Sequence, residues 1–389
     1  MWKTTPIVKH PKVEVFRELR GDCLLLFKRL GGNMAVISYK CPNCEGELIF
    51  DPSSQNYKCE YCISSFSLEE LEQMKPETTT EQVVEIEQPE MEKKEGTETQ
   101  EAIFYSCPSC GAEIVTDSTT AATFCYYCHN PVVLSGRLSG EYMPDRIIPF
   151  AIDKKQAEKQ FLEYVHSKKF IPRAFFKKQQ IEKLSGVYFP YWIYECSMEG
   201  SMQAQGTNIR IWRNGDIEYT ERKYYHVERQ GSIELSNLAK NALQKANQKL
   251  ITGVFPFDMT QMKEFHMSYL SGFQAEKRDI AKEALRQEIT QEVNGYGEKL
   301  LRDTISGYSA VNVENHTLRT VEEIWNYVLL PVWTLTYKGK NGKLYYYSMN
   351  GQNGKVFGEL PVDYKKVCLL GGVVALIVLI IGLLGGYFL

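Results

Sequence analysis

The sequence predicts an α+β protein with two four-cysteine zinc ribbons, a disordered acidic linker, an antiparallel α+β domain and one C-terminal transmembrane helix. Three observations lead there. Two cysteine quartets share one spacing, aromatic strand segments alternate with helical periods, and the run from Val367 to Leu389 carries no charge. The predicted layout is 34–72 for the first ribbon, 73–101 for the linker, 102–136 for the second ribbon, 137–366 for the domain and 367–389 for the membrane anchor, with 1–33 as an N-terminal extension outside the fold.

The quartets are Cys41, Cys44, Cys59 and Cys62, and Cys107, Cys110, Cys125 and Cys128, each reading C-x2-C-x14-C-x2-C. A tetrahedral ion held by four thiolates takes two from one tight turn and two from another, with a hairpin folding the turns together. The intervening residues suit that hairpin: Gly46-Glu47-Leu48-Ile49-Phe50-Asp51 in one copy, Ala112-Glu113-Ile114-Val115-Thr116-Asp117 in the other. Two structural Zn2+ ions are expected, because four protein ligands leave no position open for water.

At 389 residues, with 43% hydrophobic and 12% aromatic side chains, the chain can bury the core of two or three modules. A formal net charge of -3 gives no global attraction to a polyanion. Paired cysteine knuckles fit a reducing compartment, where thiols stay free to bind metal. Cys23, Cys196 and Cys368 fall outside the quartets and read as small apolar residues.

Residues 1–33 have no structural period and no signal-peptide layout. Gly31-Gly32-Asn33 precedes Met34, and tandem glycine codons can spell a ribosome-binding sequence, so Met34 is a candidate translation start; a disordered arm is the alternative. Ser67 to Glu72 reads as a short helix closing the first ribbon. Residues 73–101 are rich in Glu, Thr and Gln and poor in large apolar side chains, so burial cannot offset their ordering entropy. The first ribbon is therefore expected to move independently of the second ribbon and the domain.

Phosphate binding by the ribbons is disfavoured by charge. The first offers Lys40 and Lys58 against Glu45, Glu47, Asp51 and Glu60, and the second has no Lys or Arg between Cys107 and Cys128. Four thiolates on a divalent ion add further negative charge. Phe104, Tyr105, Phe124, Tyr126 and Tyr127 read as a small ribbon core or a protein-docking face rather than a base-stacking platform.

In the domain, Arg146 to Phe150 reads as a strand leading to Asp153, an N-cap with Gln156 three residues on, and a helix burying Ala157, Phe161, Leu162 and Val165. A second helix is expected from Pro172 to Gly186. These two helices carry Lys154, Lys155, Lys159, Lys168, Lys169, Arg173, Lys177, Lys178 and Lys183, a basic concentration read either as a solvated face or as contact with anionic lipid.

Val187 to Tyr194 is strand sequence, and Asn214-Gly215 signals a I′ hairpin flanked by Ile209, Ile211, Ile217 and Tyr219. A helix capped by Ser236 and ending before Gly253, an extended stretch from His266 to Phe273 and a helix from Arg278 to Thr304 come next. The last is weakened by Gly295 and Gly297. Tyr327 to Thr334 opens a second strand set with turns at Asn341-Gly342 and near Asn350-Gly351 or Asn353-Gly354. The centres Phe189-Pro190-Tyr191-Trp192 and Leu330-Pro331-Val332-Trp333 match, which suggests an internal duplication. No phosphate loop, nucleophile elbow or H-E-x-x-H helix is present, and His226, His266 and His316 are isolated.

As a helix, Val367 to Leu389 would reach about 34 Å, enough for a hydrocarbon layer of about 30 Å. Lys365 and Lys366 precede it and no charge comes after it, so the expected topology is a single-pass tail anchor in the cell membrane with the bulk in the cytoplasm. Gly371, Ala375, Gly382 and Gly386 share one helical face, a basis for close packing in a homodimer or with another membrane protein.

The chain resembles the TFIIB-type zinc-ribbon membrane proteins of Gram-positive bacteria, often labelled as related to the primosomal replication-restart helicase. The resemblance covers Met34 to Leu389 and rests on Tyr105 to Gly111, Thr119 to Asn130, Gly186 to Trp192, Tyr269 to Glu276 and Leu330 to Trp333. It implies zinc at the eight quartet cysteines and brings no established activity. The helicase label is rejected, since a helicase needs a phosphate loop and motor domains this chain lacks. Glu45, where the second copy has Gly111, is one departure.

The expected function is that of a membrane-tethered adaptor presenting its ribbons to a cytoplasmic or membrane protein partner, with no catalytic activity. The alternatives are a nucleic-acid-binding tether using the basic helices around 154–183, and an enzyme of unrecognised type in the α+β domain.

Overall fold

A computed structural model describes residues 36–73, 103–107, 113–125, 129–172, 183–338 and 343–388. The N-terminal extension with its Met34 start, the linker beyond residue 73, Cys110, Cys128, Cys23, the turn at Asn341-Gly342 and most of the second basic helix, including Arg173, Lys177 and Lys178, lie outside the described residues.

The first cysteine unit contains β1 (Val36–Ile37), β2 (Leu48–Asp51), β3 (Asn56–Cys59), β4 (Ser65–Phe66) and α1 (Leu68–Gln73), with β2, β3 and β4 forming an antiparallel sheet. Helix α1 starts on a reciprocal cap: the Glu70 amide donates to Ser67 Oγ at 3.2 Å, and the Ser67 amide donates to the Glu70 carboxylate at 2.8 Å. The second unit contributes β5 (Ile103–Ser106), β6 (Glu113–Thr116), β7 (Thr120–Phe124) and β8 (Pro131–Leu134). Strands β5 and β6 pair by themselves, whereas β7 and β8 belong to the main sheet.

The body comprises β9 (Arg146–Ile147), α2 (Lys154–His166), β10 (Ser185–Asn214), β11 (Ile217–Asn241), α3 (Gln248–Gly253), β12 (Lys263–Glu264), β13 (Gln274–Glu276), α4 (Lys282–Asp303), β14 (Ala310–Lys338), β15 (Leu344–Asn350) and β16 (Val356–Gly358), ending in α5 (Tyr364–Phe388). Among the described residues the main sheet has 11 strands in the order β1-β8-β7-β13-β10-β14-β15-β16, with β11 added on β10, β9 on β14 and β12 on β9. Two short pairings, β13 with β10 and β9 with β14, are parallel, so the sheet is mixed rather than purely antiparallel as expected.

Three strands of 30, 25 and 29 residues (β10, β11 and β14) dominate the molecule. Proline in the interior of a sheet removes a ladder hydrogen bond, yet β10 holds Pro190 and β14 holds Pro331. Each sits where a neighbouring ladder stops. The β11 pairing begins at Tyr191, one residue past Pro190, and the β15 pairing begins at Val332, one residue past Pro331. The two Pro-x-Trp centres lie side by side in a locally two-fold register, with Phe189 opposite Leu330, Tyr188 opposite Pro331 and Pro190 opposite Leu329. Their indoles each donate to a loop carbonyl, Trp192 to Ile280 and Trp333 to Ile152.

The helix expected from Ser236 towards Gly253 is a correction: β11 runs to Asn241, and only α3 is helical. The apolar period behind that expectation, Leu238, Ala242, Leu243, Ala246 and Leu250, runs across the end of β11, a turn and α3. Tyr194 faces Leu238 while Cys196 faces Leu235, so β11 advances three residues against two, with Asn237 in the left-handed region at φ 60. Leu235 and Leu238, three apart, thus pack against one core. The hairpin at the far end stands as expected, but its two loop residues are Gly215 and Asp216, with positive φ at Gly215 and not at Asp216, as in a II′ turn.

Helix α4 lies on the long strands, with Ile289, Val293 and Leu301 against Met198, Met202, Val227 and Ile233. Gly297, read as a weakness, instead admits Leu318, whose Cδ2 lies 3.0 Å from where a Cβ would stand. Further along the same face of the sheet, Phe150 stacks on Phe273 at 4.2 Å and meets Tyr188 and Trp333 edge-on. Helix α2 starts as expected, the Gln156 amide donating to Asp153 Oδ1, and buries Ala157, Phe161 and Val165.

Candidate metal centre

Cysteine knuckles are built by backbone hydrogen bonds that bend the chain behind each pair of thiols. At Cys41 the amide donates to the Gly46 carbonyl (2.6 Å) and Glu45 donates back to the Cys41 carbonyl (2.8 Å). The same loop recurs at Cys59 with Ser64 and Ile63, and at Cys125 with Asn130 and His129. The residue after each pair, Glu45, Ile63 or His129, is left-handed, with φ near 60 in all three. Glu45 therefore holds a conformation that glycine, the residue at the matching sequence position 111, would adopt without strain. Ile63 is the costly case, because a β-branched side chain in this region stores about 1–2 kcal/mol.

The four thiols of the first quartet converge. Their Sγ atoms lie within 4.8 Å of one another, with Cys41–Cys62 and Cys44–Cys59 at 3.5 Å, too far for disulfides and suited to a shared metal ion. Cys41 and Cys59 are buried, while Cys44 and Cys62 face solvent. Hydrogen bonds from the Ser64 hydroxyl and amide lower the Cys62 thiol to about 6. At Cys44 the Gly46 amide favours the thiolate, but hydrogen bonds to Cys62 and Cys59 outweigh it and push the thiol up to about 12. The protons belong to the cluster, and metal coordination displaces them.

Of the second quartet, Cys107 and Cys125 are buried in one cluster with Tyr105, Val132 and Leu134. The matching loop at Cys125 extends the likeness between the two copies.

The expectation that the first unit moves independently is corrected by its seat on the body. The Phe50 amide donates to the Ser271 carbonyl (3.1 Å), Ser271 Oγ donates to the Leu48 carbonyl (2.5 Å), and the Tyr57 hydroxyl meets Ser268 Oγ at 2.6 Å. Phe50 packs edge-on against Tyr269 at 5.2 Å. Gln55 Nε2 donates to the Phe150 carbonyl, and Glu72 of α1 pairs with His266 at 2.8 Å. Gly272 has φ 88 and stands so close to Ile49 that any Cβ would collide with it. The receiving stretch, Met267–Leu270, is a 3-10 turn rather than the extended segment expected, and that turn presents Ser268, Tyr269 and Ser271 to β2 and β3.

The same stretch holds the second unit a few residues later. In β13, Ala275 pairs with Ala122 and Glu276 with Thr120, and Glu276 accepts from Thr119 Oγ1 at 2.7 Å. Lys245 bridges Asp117 (2.6 Å) and Glu276 (2.9 Å). Burial works against the charged form of Asp117, but Lys245 and the Thr120 hydroxyl and amide outweigh it and hold the carboxyl below the usual carboxylate range. Burial raises the Glu276 carboxyl. The Asp117 contribution is therefore in place above about pH 4 and is lost as pH falls through its folded value, while Glu276 works in the opposite sense. Lys245→Met leaves Glu276 without its counter-ion; a loss of about 1–3 kcal/mol at neutral pH is expected, less than for a fully buried pair because Lys245 and Asp117 are partly exposed. Thermal unfolding of the purified chain checks it, and an unchanged midpoint would contradict the bridging role.

Sequence reasoning singled out Tyr269 to Glu276 without finding what it does. Its serine and glycine carry no motif, and only the fold brings the stretch against β2 and β7.

Together the fold and the site define an α+β protein bearing a four-cysteine cluster able to hold a metal ion. Among the described residues, one helix, Tyr364–Gly382 of α5, is long and apolar enough to cross a membrane. No family model and no solved structure matches the chain. It is 30% identical over 358 residues to the uncharacterized protein YdjG of Bacillus subtilis (strain 168), an alignment that covers 91% of this chain and 100% of that relative. The chain belongs to the same family as YdjG.

Proposed function

We propose that the protein is a membrane-anchored adaptor whose cysteine units are zinc ribbons of the TFIIB type and whose first ribbon docks a cytoplasmic protein partner. The observation that carries this reading is the tip of the second knuckle. Tyr61 and Ile63 are 76% and 73% exposed, and Ile63 keeps a strained backbone that glycine would relieve. An apolar pair held outward at a conformational cost, on a unit clamped to the body, suits rigid presentation rather than a mobile leash.

Zinc suits the site. Zn–S bonds of about 2.3 Å in a regular tetrahedron place sulfurs about 3.8 Å apart, and the Sγ separations of the first quartet, from 3.5 Å to within 4.8 Å, bracket that value. A second Zn2+ at Cys107, Cys110, Cys125 and Cys128 is supported by the equal spacing and the repeated loop. Both ions would be structural, with no open ligand position.

Helix α5 supplies the anchor, and Lys365 and Lys366 at its start favour a cytoplasmic body. Its base is tied to the segment after α2: the Asp363 amide donates to the Phe170 carbonyl and Lys366 Nζ to the Ile171 carbonyl, both at 2.6 Å. Exposed Lys168 and Lys169 therefore lie beside the helix entry, a position that favours anionic headgroups over nucleic acid as their partner. Packing of α5 through Gly371, Ala375, Gly382 and Gly386 fits the same anchored state.

Two clefts border these parts. The one of about 570 Å3 between the first ribbon and the body is lined by Pro52, Gln55, Ile148, Met262 and Lys263, among others, with no carboxylate or histidine. In the polar groove across the long strands, Glu228 and His316 fall on opposite faces of the sheet, facing Gln203 and Met202 respectively.

The test is in-cell crosslinking of the full chain against the double variant Tyr61→Ala, Ile63→Gly. The glycine relieves strain, so metal content and folding should hold while the crosslinked partner falls several-fold. An unchanged partner set would remove the ribbon tip from the mechanism.

A further inference from the structure

Strands β10 and β14 run side by side until Thr207 faces Ala310. Beyond that point β10 continues to Asn214 with only β11 beside it, so the hairpin projects as a two-stranded finger. The Ile209 amide donates to Ser309 Oγ (3.2 Å), on the side that β14 has just left. In an antiparallel strand alternate residues turn their backbone groups to the same side. Ile211 and Arg213 therefore present N–H and C=O to an open edge. Natural edges are blunted by proline, bulges, charged side chains or inward charge. This one, Arg210-Ile211-Trp212-Arg213-Asn214, has no proline, and its ladder with β11 is regular. Each face carries one apolar side chain, Ile211 (60% exposed) on one and Trp212 (43% exposed) on the other, beside Arg213, which is paired with Glu218 at 3.0 Å, and Arg210, which lies over the Trp212 ring.

We propose that this edge pairs antiparallel with the same edge of a second copy of the chain, with the two-fold axis at Trp212. In that register Trp212 faces Trp212 of the second copy, Ile211 faces Arg213, and Arg210 faces Asn214. No like charges stand directly opposite, and the two Arg213 side chains, diagonal to each other, are each paired with Glu218 of their own copy at 3.0 Å. Ile211 and Arg213 of the two copies exchange four backbone hydrogen bonds, and they are the residues whose groups point outward. A register centred on Ile211 is excluded, because it would call on the Ile209 amide, which Ser309 already holds. The pair at the axis is the non-hydrogen-bonded kind, with Cα atoms about 4.5 Å apart and side chains in close contact. Trp212 is already stacked on Tyr219 (5.5 Å, 10° between planes), so pairing builds a row of four aromatic rings across four strands.

The register fixes the experiment. In the full chain in detergent micelles, Trp212→Cys places two thiols within the Cα range of about 4.4–6.8 Å that a disulfide needs. Tyr219→Cys, on the outer strand, sits three strand spacings from its counterpart, about 14 Å. After mild oxidation, a disulfide-linked peptide pair through position 212 is expected, with none through 219. Adding Arg213→Pro, which removes an outward amide and leaves the β11 ladder intact, should cut the 212 linkage roughly tenfold, the effect of about 1.4 kcal/mol. The proposal is overturned if no 212 linkage forms, if 219 links instead, or if the linkage survives Arg213→Pro at equal yield.

Discussion

Cys59→Ser is expected to remove one metal equivalent per chain and to free the first cysteine unit from the body. Cys59 is fully buried, it belongs to the cluster of four thiols, and it ends β3. A serine hydroxyl is a poor substitute for a thiolate. Strands β2 and β3 have four residues each, too short to hold a hairpin without support. Structural four-ligand sites in small domains have apparent binding free energies of about 10–16 kcal/mol, so metal binding and local folding are one event. Because Cys59, Leu48, Phe50 and Tyr57 belong to the same core cluster as Tyr269 and Phe273, the loss should spread across the seam. Elemental analysis with hydrogen exchange over 48–59 and 266–273 reads both effects, and chelation of the wild type should reproduce them. Unchanged protection in both segments after metal loss would show that packing alone holds the unit.

Gly272→Val should open the same seam while leaving the metal in place. At φ 88 any L side chain is strained, by about 1–3 kcal/mol. The added atoms also meet Ile49, a clash that costs about another 1–3 kcal/mol as overpacking. The combined loss, about 2–6 kcal/mol, falls on the contact between β2 and the turn at Ser268 to Ser271. Exchange should rise at Phe50 and Ser271, whose backbone groups bond across the seam, with metal content unchanged. Loss of metal in this variant would mean that the body helps to assemble the cluster. Retained protection would mean that the turn can shift away from Ile49.

The cluster, the apolar helix and the helices α2 and α4 were legible in the residues themselves, because each rests on local rules. Thiol spacing within two tight turns decides which cysteines meet. The Asp153 cap and the spacing of Ala157, Phe161 and Val165 decide where α2 starts and what it buries. An uncharged run after Lys366 decides where a span can lie. These are effects of neighbours along the chain, and they survive without knowledge of the fold.

What the tertiary structure alone decided is how those parts are joined. The stretch from Ser268 to Glu276 holds both cysteine units, yet its serines, glycine and short strand acquire meaning only when β2 and β7 lie against them. The same holds for β11, which continues as strand to Asn241 through residues whose spacing suggested a helix, and for Pro190 and Pro331, tolerated because neighbouring ladders end beside them. Each depends on contacts between residues far apart in sequence. Their energy comes from burial and cross-strand pairing that no local pattern encodes, so the units and their chemistry could be read in order along the chain, while their rigid assembly could not.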